Sequence, residues 1–279
     1  MINFTTTLGS WTIDKLLETE ITNITTQFLF PDWGDEPHPE PFALSIHTMV
    51  LRNGKQTILI DTAAGNGKHR PETLFLDHLD MPYLSRLAAM GIAPEAVDLV
   101  LFTHLHVDHV GWNTQLRDGA WRPTFPNARH LCTARELDAY TDPSVLGPEN
   151  NHVLAYADSV LPVREAGLID TVKADGREVL PGISFLSAPG HSVDHSVIRL
   201  ADGAEVALFI GDLMHHPLQV ARPELSSVFC LDRAQARQSR ERVLPLAAEQ
   251  NALIFPSHFD GSSAGRVLRR GNAYAWEPA

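Results

Sequence analysis

The sequence has few cysteines and no long apolar run. Of its 279 residues only Cys132 and Cys230 are cysteines, and they form neither a CxxC pair nor a disulfide framework. A reducing, intracellular compartment is therefore the expected location. No stretch approaches the roughly 18 apolar residues of a membrane span, and the first residues lack the basic and apolar regions of a secretory signal. We therefore expect a cytoplasmic protein with no membrane partner.

Positive charge is scarce as well. The chain carries 22 Lys and Arg residues against 34 Asp and Glu residues, which gives a formal net charge of -12 at pH 7. Nucleic-acid backbones attract positive protein surfaces, so this balance argues against a nucleic-acid partner. We expect a small-molecule substrate as the partner, and a homodimer is one assembly to test.

No change in composition marks a linker, so we expect a single domain over residues 1–279. An irregular N-terminal arm and loop are expected over about residues 1–43. Residues 30–41 contain four prolines, which lack a backbone donor and exclude a regular element there. Both a lid over a binding site and a plain surface connection fit a loop of this length.

Apolar runs and turn residues predict the regular elements. Asn53-Gly54, between residues 44–51 and 56–61, indicates a hairpin with a two-residue turn. Strands early and late, with helices between and after them, indicate an α+β fold in which two sheets lie between helices. Further strands are predicted at residues 97–102, 128–133, 183–187, 196–200, 206–210 and 253–255, and helices at residues 81–90, 134–140 and 233–250.

One short segment concentrates potential metal ligands. His104, His106, Asp108 and His109 stand within six residues. In extended backbone alternate side chains point the same way, which places His104 and His106 on one side. Asp108 and His109 follow the strand and face another point, since adjacent side chains diverge. The spacing therefore favours two neighbouring metal positions over one.

Three more potential ligands come after predicted strands elsewhere in the chain. His191, Asp212 and His258 each follow an apolar run of strand length and stand close to a Gly or Pro residue. The first segment alone cannot complete two metal sites, so ligands from other strand ends are required. These three residues are the candidates for that role.

The order HxHxDH, then a distant His, an Asp and a final His, resembles the pattern of the metallo-β-lactamase superfamily. All seven positions are occupied in the same order, from His104 to His258. The resemblance implies a four-layer αββα sandwich with a dinuclear metal site at one edge. It implies a first metal held by His104, His106 and His191, a second held by Asp108, His109 and His258, and Asp212 as the bridge between them.

The resemblance further implies a dinuclear, metal-dependent hydrolase. Two divalent ions per chain, zinc first but with iron, manganese or cobalt also compatible with these ligands, would activate a bridging hydroxide. That hydroxide would attack a small ester-type substrate, either a lactone such as an acyl-homoserine lactone or an organophosphate triester. A glyoxalase II-like thioester hydrolase and an iron-dependent oxidoreductase, such as a persulfide dioxygenase, are the alternatives.

Two histidines are candidates for a catalytic role beside Asp108 and Asp212. Lactonases of this superfamily often carry a tyrosine three residues after the bridging Asp, where this chain has His215. We expect His215 or His216 to donate a hydrogen bond to the substrate oxyanion or to protonate the leaving group. Asp61, at the end of an early strand, is expected to accept a hydrogen bond from a ligand histidine and so orient it.

Several residues carry weaker signals. The arginines of residues 233–242 indicate a solvated, charged helix face. Because substrate sites are mostly apolar, five residues are candidates for a pocket wall: Phe30, Trp33, Trp112, Met214 and Phe229. Six of the histidines outside the seven-residue pattern are expected to be ordinary surface or structural residues: His38, His47, His69, His78, His130 and His152.

Overall fold

The computed structural model describes residues 2–34, 41–139 and 150–279. Contacts within the chain define two compact units. The first unit comprises Met1–Thr19 and Ile46–Val172, and the second comprises Glu20–Ser45 and Lys173–Ala279. The single domain expected from composition stays a prediction. The loop expected at residues 30–41 lies partly outside the described residues, as do His38 and the last residue of the helix predicted at 134–140.

Strands account for most of the regular structure in the described residues. The strands are β1 (Ile2–Leu8), β2 (Trp11–Ile24), β3 (Phe42–Arg52), β4 (Thr57–Ile60), β5 (Leu99–Leu101), β6 (Thr114–Arg117), β7 (Ala120–Pro123), β8 (Arg129–Thr133), β9 (Ile169–Val172), β10 (Asp175–Leu180), β11 (Ile183–Ser187), β12 (Ser196–Asp202), β13 (Glu205–Gly211), β14 (Leu253–Pro256), β15 (Gly265–Arg270) and β16 (Ala273–Pro278). The helices are α1 (Thr26–Leu29), α2 (Tyr83–Ala89), α3 (Ala134–Ala139), α4 (Asn151–Ala155), α5 (Leu161–Glu165), α6 (Leu218–Ala221) and α7 (Arg233–Glu249), and a π-helical turn (Tyr156–Val160) joins α4 to α5.

The first sheet has the strand order β1-β2-β3-β4-β5-β8-β9. Its strands β4, β5, β8 and β9 run parallel to one another. Every side chain of β5 is buried, as its apolar run predicts for a central parallel strand. Parallel strands end at the same edge of a sheet, so Asp61 after β4 and Thr103 after β5 leave the sheet together. The N–H of Asp61 donates to the carbonyl of Leu101 at 2.9 Å.

The second sheet has the strand order β10-β11-β12-β13-β14-β15-β16. Its strands pair antiparallel except β13 and β14, which are parallel, with Gly211 opposite Pro256. Asp212 and His258 therefore leave the sheet at the same edge. Two successive antiparallel pairings make β11 run in the direction of β13, so the segment that follows β11 and carries His191 starts from that edge too.

The hairpin between β3 and β4 differs from its prediction in the turn. Arg52 pairs with Thr57, so the connection is the four residues 53–56 and the predicted two-residue turn is wrong. The side-chain oxygen of Asn53 accepts hydrogen bonds from the N–H groups of Lys55 at 3.0 Å and Gln56 at 2.9 Å. The side chain of Asn53 thereby satisfies the backbone N–H groups of two residues of the turn.

Helix α7 differs from its prediction at one arginine. Arg240 is fully buried. Its Nε donates to the carbonyl of Pro223 at 2.9 Å and its Nη2 donates to Ser226 Oγ at 2.6 Å. The guanidinium thus anchors the segment between α6 and α7. Arg237 lies on the exposed face, as expected, and forms an ion pair with Glu241. Of the helices in the described residues, none is long and apolar enough to cross a membrane.

Candidate metal centre

The ligand segment of the first unit begins at the end of β5, where Asp61 organises it. Asp61 is buried and accepts from the backbone N–H of Thr103 at 2.9 Å and from Thr103 Oγ1 at 2.8 Å. Because Thr103 uses its one hydroxyl proton on Asp61, its oxygen can only accept from Nδ1 of His104, which lies 3.0 Å away. This fixes the proton of His104 on Nδ1 and leaves Nε2 with a lone pair, the form that binds a metal.

His109 is oriented by the same carboxylate. Its Nδ1 lies 2.8 Å from Asp61 Oδ2, and an ionised carboxylate can only accept, so Nδ1 is the donor. Its Nε2 lies 3.7 Å from Asp108 Oδ1. Asp61 therefore accepts a hydrogen bond from a histidine of the ligand segment, as predicted from the sequence, and that histidine is His109. A carboxylate behind an imidazole is the usual partner of a metal-bound histidine.

The histidine rings of the first unit lie close together. The ring centroid of His104 is 4.4 Å from that of His106 and 4.0 Å from that of His109. The ring of His106 is also 4.2 Å from that of His152, a histidine that the sequence treats as ordinary. Burial lowers the pKa of His152, which favours its neutral form. No pattern in the sequence around His152 identifies this position.

Backbone contacts join the ligand segment to the loop after β4. The N–H of Gly111 donates to the carbonyl of Ala63 at 2.7 Å, and the N–H of Thr62 donates to the carbonyl of His109 at 2.6 Å. A Cβ at Gly111 would stand 1.7 Å from the carbonyl oxygen of Ala64, so only glycine fits there. The close approach fixes the position of the residues that follow Asp108.

Two buried glutamates, which the sequence did not single out, support these loops. Glu136 accepts from the N–H of Leu105, between the first two histidines, at 3.2 Å. Glu18 accepts from the N–H of Ala64 at 2.8 Å, from the N–H of Gly65 at 3.0 Å, and from the indole Nε1 of Trp112. Burial raises the pKa of Glu18 to about 7, despite these three donors. Both contacts join residues distant in sequence, so no local motif reveals them.

In the second unit Asp212 is surrounded by imidazoles. Its Oδ2 lies 3.2 Å from Nε2 of His191, 3.2 Å from Nε2 of His215 and 3.0 Å from Nε2 of His258. All four side chains are buried. Ligand atoms of His191, Asp212 and His215 lie close enough to one another to hold a metal ion. Imidazole and carboxylate are donors that zinc and other divalent transition metals accept.

The hydrogen bonds of His258 test whether this arrangement suits a cation. Nδ1 of His258 lies 2.9 Å from the carbonyl oxygen of Ser45, which can only accept, so Nδ1 carries the proton. In the neutral ring, Nε2 then presents a lone pair to Asp212 Oδ2 at 3.0 Å. Two facing lone pairs repel unless a cation or an additional proton is shared between them. The donor set of the second unit therefore fits a divalent metal.

Two further residues position the ligands of the second unit. Nε2 of His195 accepts from the backbone N–H of Asp212 at 3.1 Å. The thiol of Cys230 lies 4.0 Å from Nδ1 of His191, a weak sulfur contact, and burial raises the pKa of Cys230, which favours the neutral thiol. The backbone carbonyl of His191 accepts from the N–H of Leu231 at 3.0 Å. No role for Cys230 is predicted from the sequence.

His215 and His216 have different surroundings. The backbone N–H of His215 donates to Gln219 Oε1 at 2.6 Å, and its ring lies against Asp212. The ring of His216 packs on Phe42, with centroids 4.2 Å apart, and its Nδ1 accepts from the N–H of Leu218 at 3.2 Å. Burial lowers the pKa of His216 to about 4. The two histidines therefore differ in that the ring of His215 contacts Asp212, whereas that of His216 packs on Phe42.

The five candidate pocket residues fall into two kinds. Phe30 and Met214 are fully buried, and Trp33 and Trp112 nearly so. Trp33 stacks near Phe30 in a hydrophobic cluster of the second unit, and the indole of Trp112 stacks on Tyr83 with centroids 4.9 Å apart. Phe229 is 40% exposed, and its ring lies 5.8 Å from that of His215. A role in a pocket stays a prediction for all five.

Comparison with known proteins identifies similar chains. The profile of the family described as the metallo-beta-lactamase superfamily matches residues 42–258, more than half of the chain. A solved structure described as hydrolase AbOPH in the beta lactamase superfamily is 25% identical, with a TM-score of 0.82 over 100% of this chain and 97% of that chain.

Two further solved structures have the same fold at lower identity. AidC, described as a dizinc quorum-quenching lactonase, is 18% identical, with a TM-score of 0.79 over 99% of this chain and 97% of that chain. A probable metal-dependent hydrolase from Staphylococcus aureus is 20% identical, with a TM-score of 0.79 over 98% of this chain and 99% of that chain. These likenesses, together with the profile, confirm the predicted α+β fold of metallo-β-lactamase type.

Proposed function

Because this chain belongs to the metallo-beta-lactamase superfamily, we propose that it is a hydrolase that uses two divalent metal ions. The proposed substrate is a small ester-type molecule, with lactones first and organophosphate triesters second. Zinc is the first metal to test, since imidazole and carboxylate donors suit it. The proposed ligands are the seven residues of the sequence pattern: His104, His106, Asp108, His109, His191, Asp212 and His258.

The arrangement around Asp212 carries the proposal. Three imidazole Nε2 atoms lie within 3.2 Å of one carboxylate oxygen. The carbonyl of Ser45 holds His258 so that its Nε2 lone pair faces that oxygen. A buried cluster of this kind is unfavourable without positive charge, because burial removes the water that would otherwise separate the lone pairs. A divalent ion supplies that charge.

The chain's own residues prepare the site for hydrolysis. Bound divalent ions would lower the pKa of a coordinated water and polarise the carbonyl or phosphoryl oxygen of the substrate. Asp61 and Thr103 hold the protons of His109 and His104 on Nδ1, and Ser45 does the same for His258. Each of these imidazoles therefore offers Nε2 without any rearrangement of protons. Preorganised ligands reduce the energetic cost of binding the ions.

We assign to His215 a hydrogen bond from its imidazole to the oxygen on which negative charge develops. Its Nε2 lies 3.2 Å from Asp212 Oδ2, and its backbone is fixed by Gln219, which in turn donates to the carbonyl of Leu225 at 2.9 Å. Such a donor is effective because its direction is set before the substrate arrives. Proton transfer from the same group to the leaving oxygen is also within its chemistry.

An apolar surface beside His215 supports a substrate with an apolar group. The ring of Phe229 lies 5.8 Å from His215 and meets the ring of Phe28 edge to face at 5.9 Å. Both phenyl rings are exposed, at 40% and 47%. The fold shared with AidC, a quorum-quenching lactonase, supports lactones as the first class to test.

Elemental analysis combined with a substrate panel tests the proposal. The purified protein is expected to contain two divalent ions per chain and to hydrolyse lactones, with loss of turnover after chelation and recovery after metal is restored. The panel includes aryl esters, phosphotriesters and a glutathione thioester, and oxygen uptake with iron is measured in parallel. A metal-loaded protein that hydrolyses none of these, or that consumes oxygen instead, contradicts the proposal.

A further inference from the structure

A second group of side chains of the types that can bind a metal lies in the first unit, apart from the seven-residue pattern. Asp77 stands between His69 and His78, and each imidazole meets a different oxygen of its carboxylate. Nδ1 of His69 lies 3.1 Å from Oδ1, and Nδ1 of His78 lies 2.9 Å from Oδ2. The two rings are tilted, with centroids 5.3 Å apart. One ligand atom from each of the three residues lies within 4.8 Å of the other two.

The loop that carries these residues is closed by backbone hydrogen bonds. The N–H of His78 donates to the carbonyl of Lys68 at 2.7 Å, and the N–H of Gly67 donates to the carbonyl of Leu79 at 2.8 Å. Inside the loop, the buried guanidinium of Arg70 forms two 2.8 Å hydrogen bonds to Asp158. The three side chains are therefore presented from a fixed frame, and their proximity does not depend on mobile backbone.

Asp77 is held in place by a backbone hydrogen bond as well as by the two imidazoles. The backbone N–H of Arg70 donates to Oδ1 at 2.5 Å. This hydrogen bond is the main reason why the pKa of Asp77 falls to about 2, with the contact to His78 next. His78 has φ +51°, a left-handed conformation that non-glycine residues rarely adopt. The loop accepts this strain and thereby turns the imidazole of His78 toward the carboxylate.

These distances match those of a metal site. In a tetrahedral zinc site with bonds of about 2.0–2.1 Å, neighbouring ligand atoms stand about 3.3 Å apart. The separations of 3.1 and 2.9 Å between nitrogen and oxygen are close to this value. We propose that His69, Asp77 and His78 form an additional site for a divalent transition metal such as zinc, nickel or cobalt. The exposed imidazoles leave the remaining coordination positions to water.

This site is distinct from the proposed hydrolytic centre and does not depend on it. Two imidazoles and one carboxylate form a donor set that divalent transition metals accept and that hard ions such as magnesium do not favour. Coordination displaces the protons that the two Nδ1 atoms share with Asp77. Each carboxylate oxygen of Asp77 has two lone pairs, so the hydrogen bond from the N–H of Arg70 to Oδ1 stays available when the carboxylate and the two nitrogens bind the ion.

Zinc uptake of the holoprotein at a series of buffered free zinc concentrations tests the proposal. The wild-type chain is expected to take up one more zinc per chain than the double variant His69→Ala/His78→Ala. Asp80→Asn is the matched control, because Asp80 is an exposed carboxylate of the same loop that contacts Asn66 and not the imidazoles. The control is expected to bind as much zinc as the wild type. Equal uptake by wild type and double variant overturns the proposal.

Thermal unfolding gives a second readout that does not involve activity. A ligand that binds only the folded state raises Tm, so added zinc is expected to raise Tm further in the wild type than in the double variant. Asp77→Asn keeps both imidazoles and is expected to weaken this zinc uptake by at least about tenfold, because the charged ligand is lost. If zinc raises Tm equally in the wild type, the double variant and Asp77→Asn, the three residues form only an ion-paired turn and the proposal is wrong.

Discussion

The histidines of the two units are held in opposite ways. In the first unit the carboxylate of Asp61 lies on the Nδ1 side of the imidazole of His109. It accepts hydrogen bonds from that Nδ1 and from the hydroxyl of Thr103. In the second unit the carboxylate of Asp212 lies on the Nε2 side of the imidazoles, with Oδ2 close to three Nε2 atoms. Backbone groups, such as the carbonyl of Ser45, orient the rings there.

This difference indicates what each carboxylate does. The negative charge of Asp61 is stabilised within the first unit by the hydrogen bonds that it accepts from Thr103 and His109. Asp212 Oδ2 instead faces Nε2 of His258, whose Nδ1 proton is donated to the carbonyl of Ser45. We therefore expect effects on metal binding and catalysis to be largest at Asp212 and to decrease for groups farther from the imidazole Nε2 atoms.

Asp212→Asn is expected to have the largest effect. An amide cannot supply the negative charge that the surrounding imidazoles and cations require, so metal content is expected to fall by at least one ion per chain. Turnover is expected to drop more than about a thousandfold, beyond the usual loss of a single oxyanion donor. Elemental analysis and kcat/KM measure these effects.

Asp232→Asn is the matched control for that variant. Asp232 caps α7 in the same unit by accepting from the N–H of Gln235 at 2.9 Å, and Asn is an equally good cap. The control is expected to keep its metal and its turnover. An Asp212→Asn protein with full metal content and wild-type turnover would show that the central position of this carboxylate has no functional meaning.

The next largest effect is expected at His215, which contacts Asp212 but is not part of the superfamily ligand pattern. His215→Ala is expected to lower kcat by about 10²–10⁴-fold, the range for a positioned acid or hydrogen-bond donor, while two ions per chain are retained. His216→Ala serves as the comparison, since its ring packs on Phe42. Losses of equal size in both variants would contradict the assignment of the role to His215.

Much of this arrangement could be predicted from the sequence, because its signals are local. Apolar runs identify β5 and β13, and the ligand-type residues directly after them identify Asp212 and the segment from His104 to His109. In contrast, Glu18 contacts Ala64 and His152 contacts His106, and each pair is 46 residues apart in the sequence. No local sequence pattern marks either residue. Their roles follow from tertiary packing, which a single sequence does not display.

The expectation of an irregular arm over about residues 1–43 is wrong where β1 and β2 form. Strand prediction also failed for two strands in which burial is weak. In β10 and β16 most side chains are exposed or half-buried, so neither strand shows the apolar run that identifies β13. The turn at Asn53 was predicted wrongly for a related reason, since Asn-Gly also suits a longer loop in which the Asn side chain binds its own backbone.

Asp61→Asn is expected to have an intermediate effect. Asp61 has φ +55°, a conformation that Asn tolerates, so this substitution removes the charge without adding backbone strain. Loss of a carboxylate behind a ligand histidine typically weakens metal binding by about 10–100-fold. Competition with a chelator measures this affinity. Turnover at saturating metal is expected to fall less than in Asp212→Asn, and an equal or larger loss would reverse the proposed order of the two carboxylates.

The smallest effect on catalysis is expected at Glu18, which contacts the loops next to the ligand segment and not a ligand itself. Burial raises the pKa of Glu18 from its ordinary value of 4.5 to about 7, so the folded state holds this proton more tightly than the unfolded state. Wild-type stability from this group is therefore fully present below about pH 4.5 and is lost as pH rises to about 7.

Glu18→Gln removes this titration. Denaturant unfolding of wild type and variant, at equal metal loading and at several pH values from 5 to 8, measures the difference. The wild type is expected to lose about 1–3 kcal/mol of unfolding free energy relative to the variant between pH 5 and pH 8, with the loss levelling off above pH 7. Parallel pH profiles for the two proteins would mean that Glu18 is ionised throughout, and that its three N–H donors outweigh the cost of its burial.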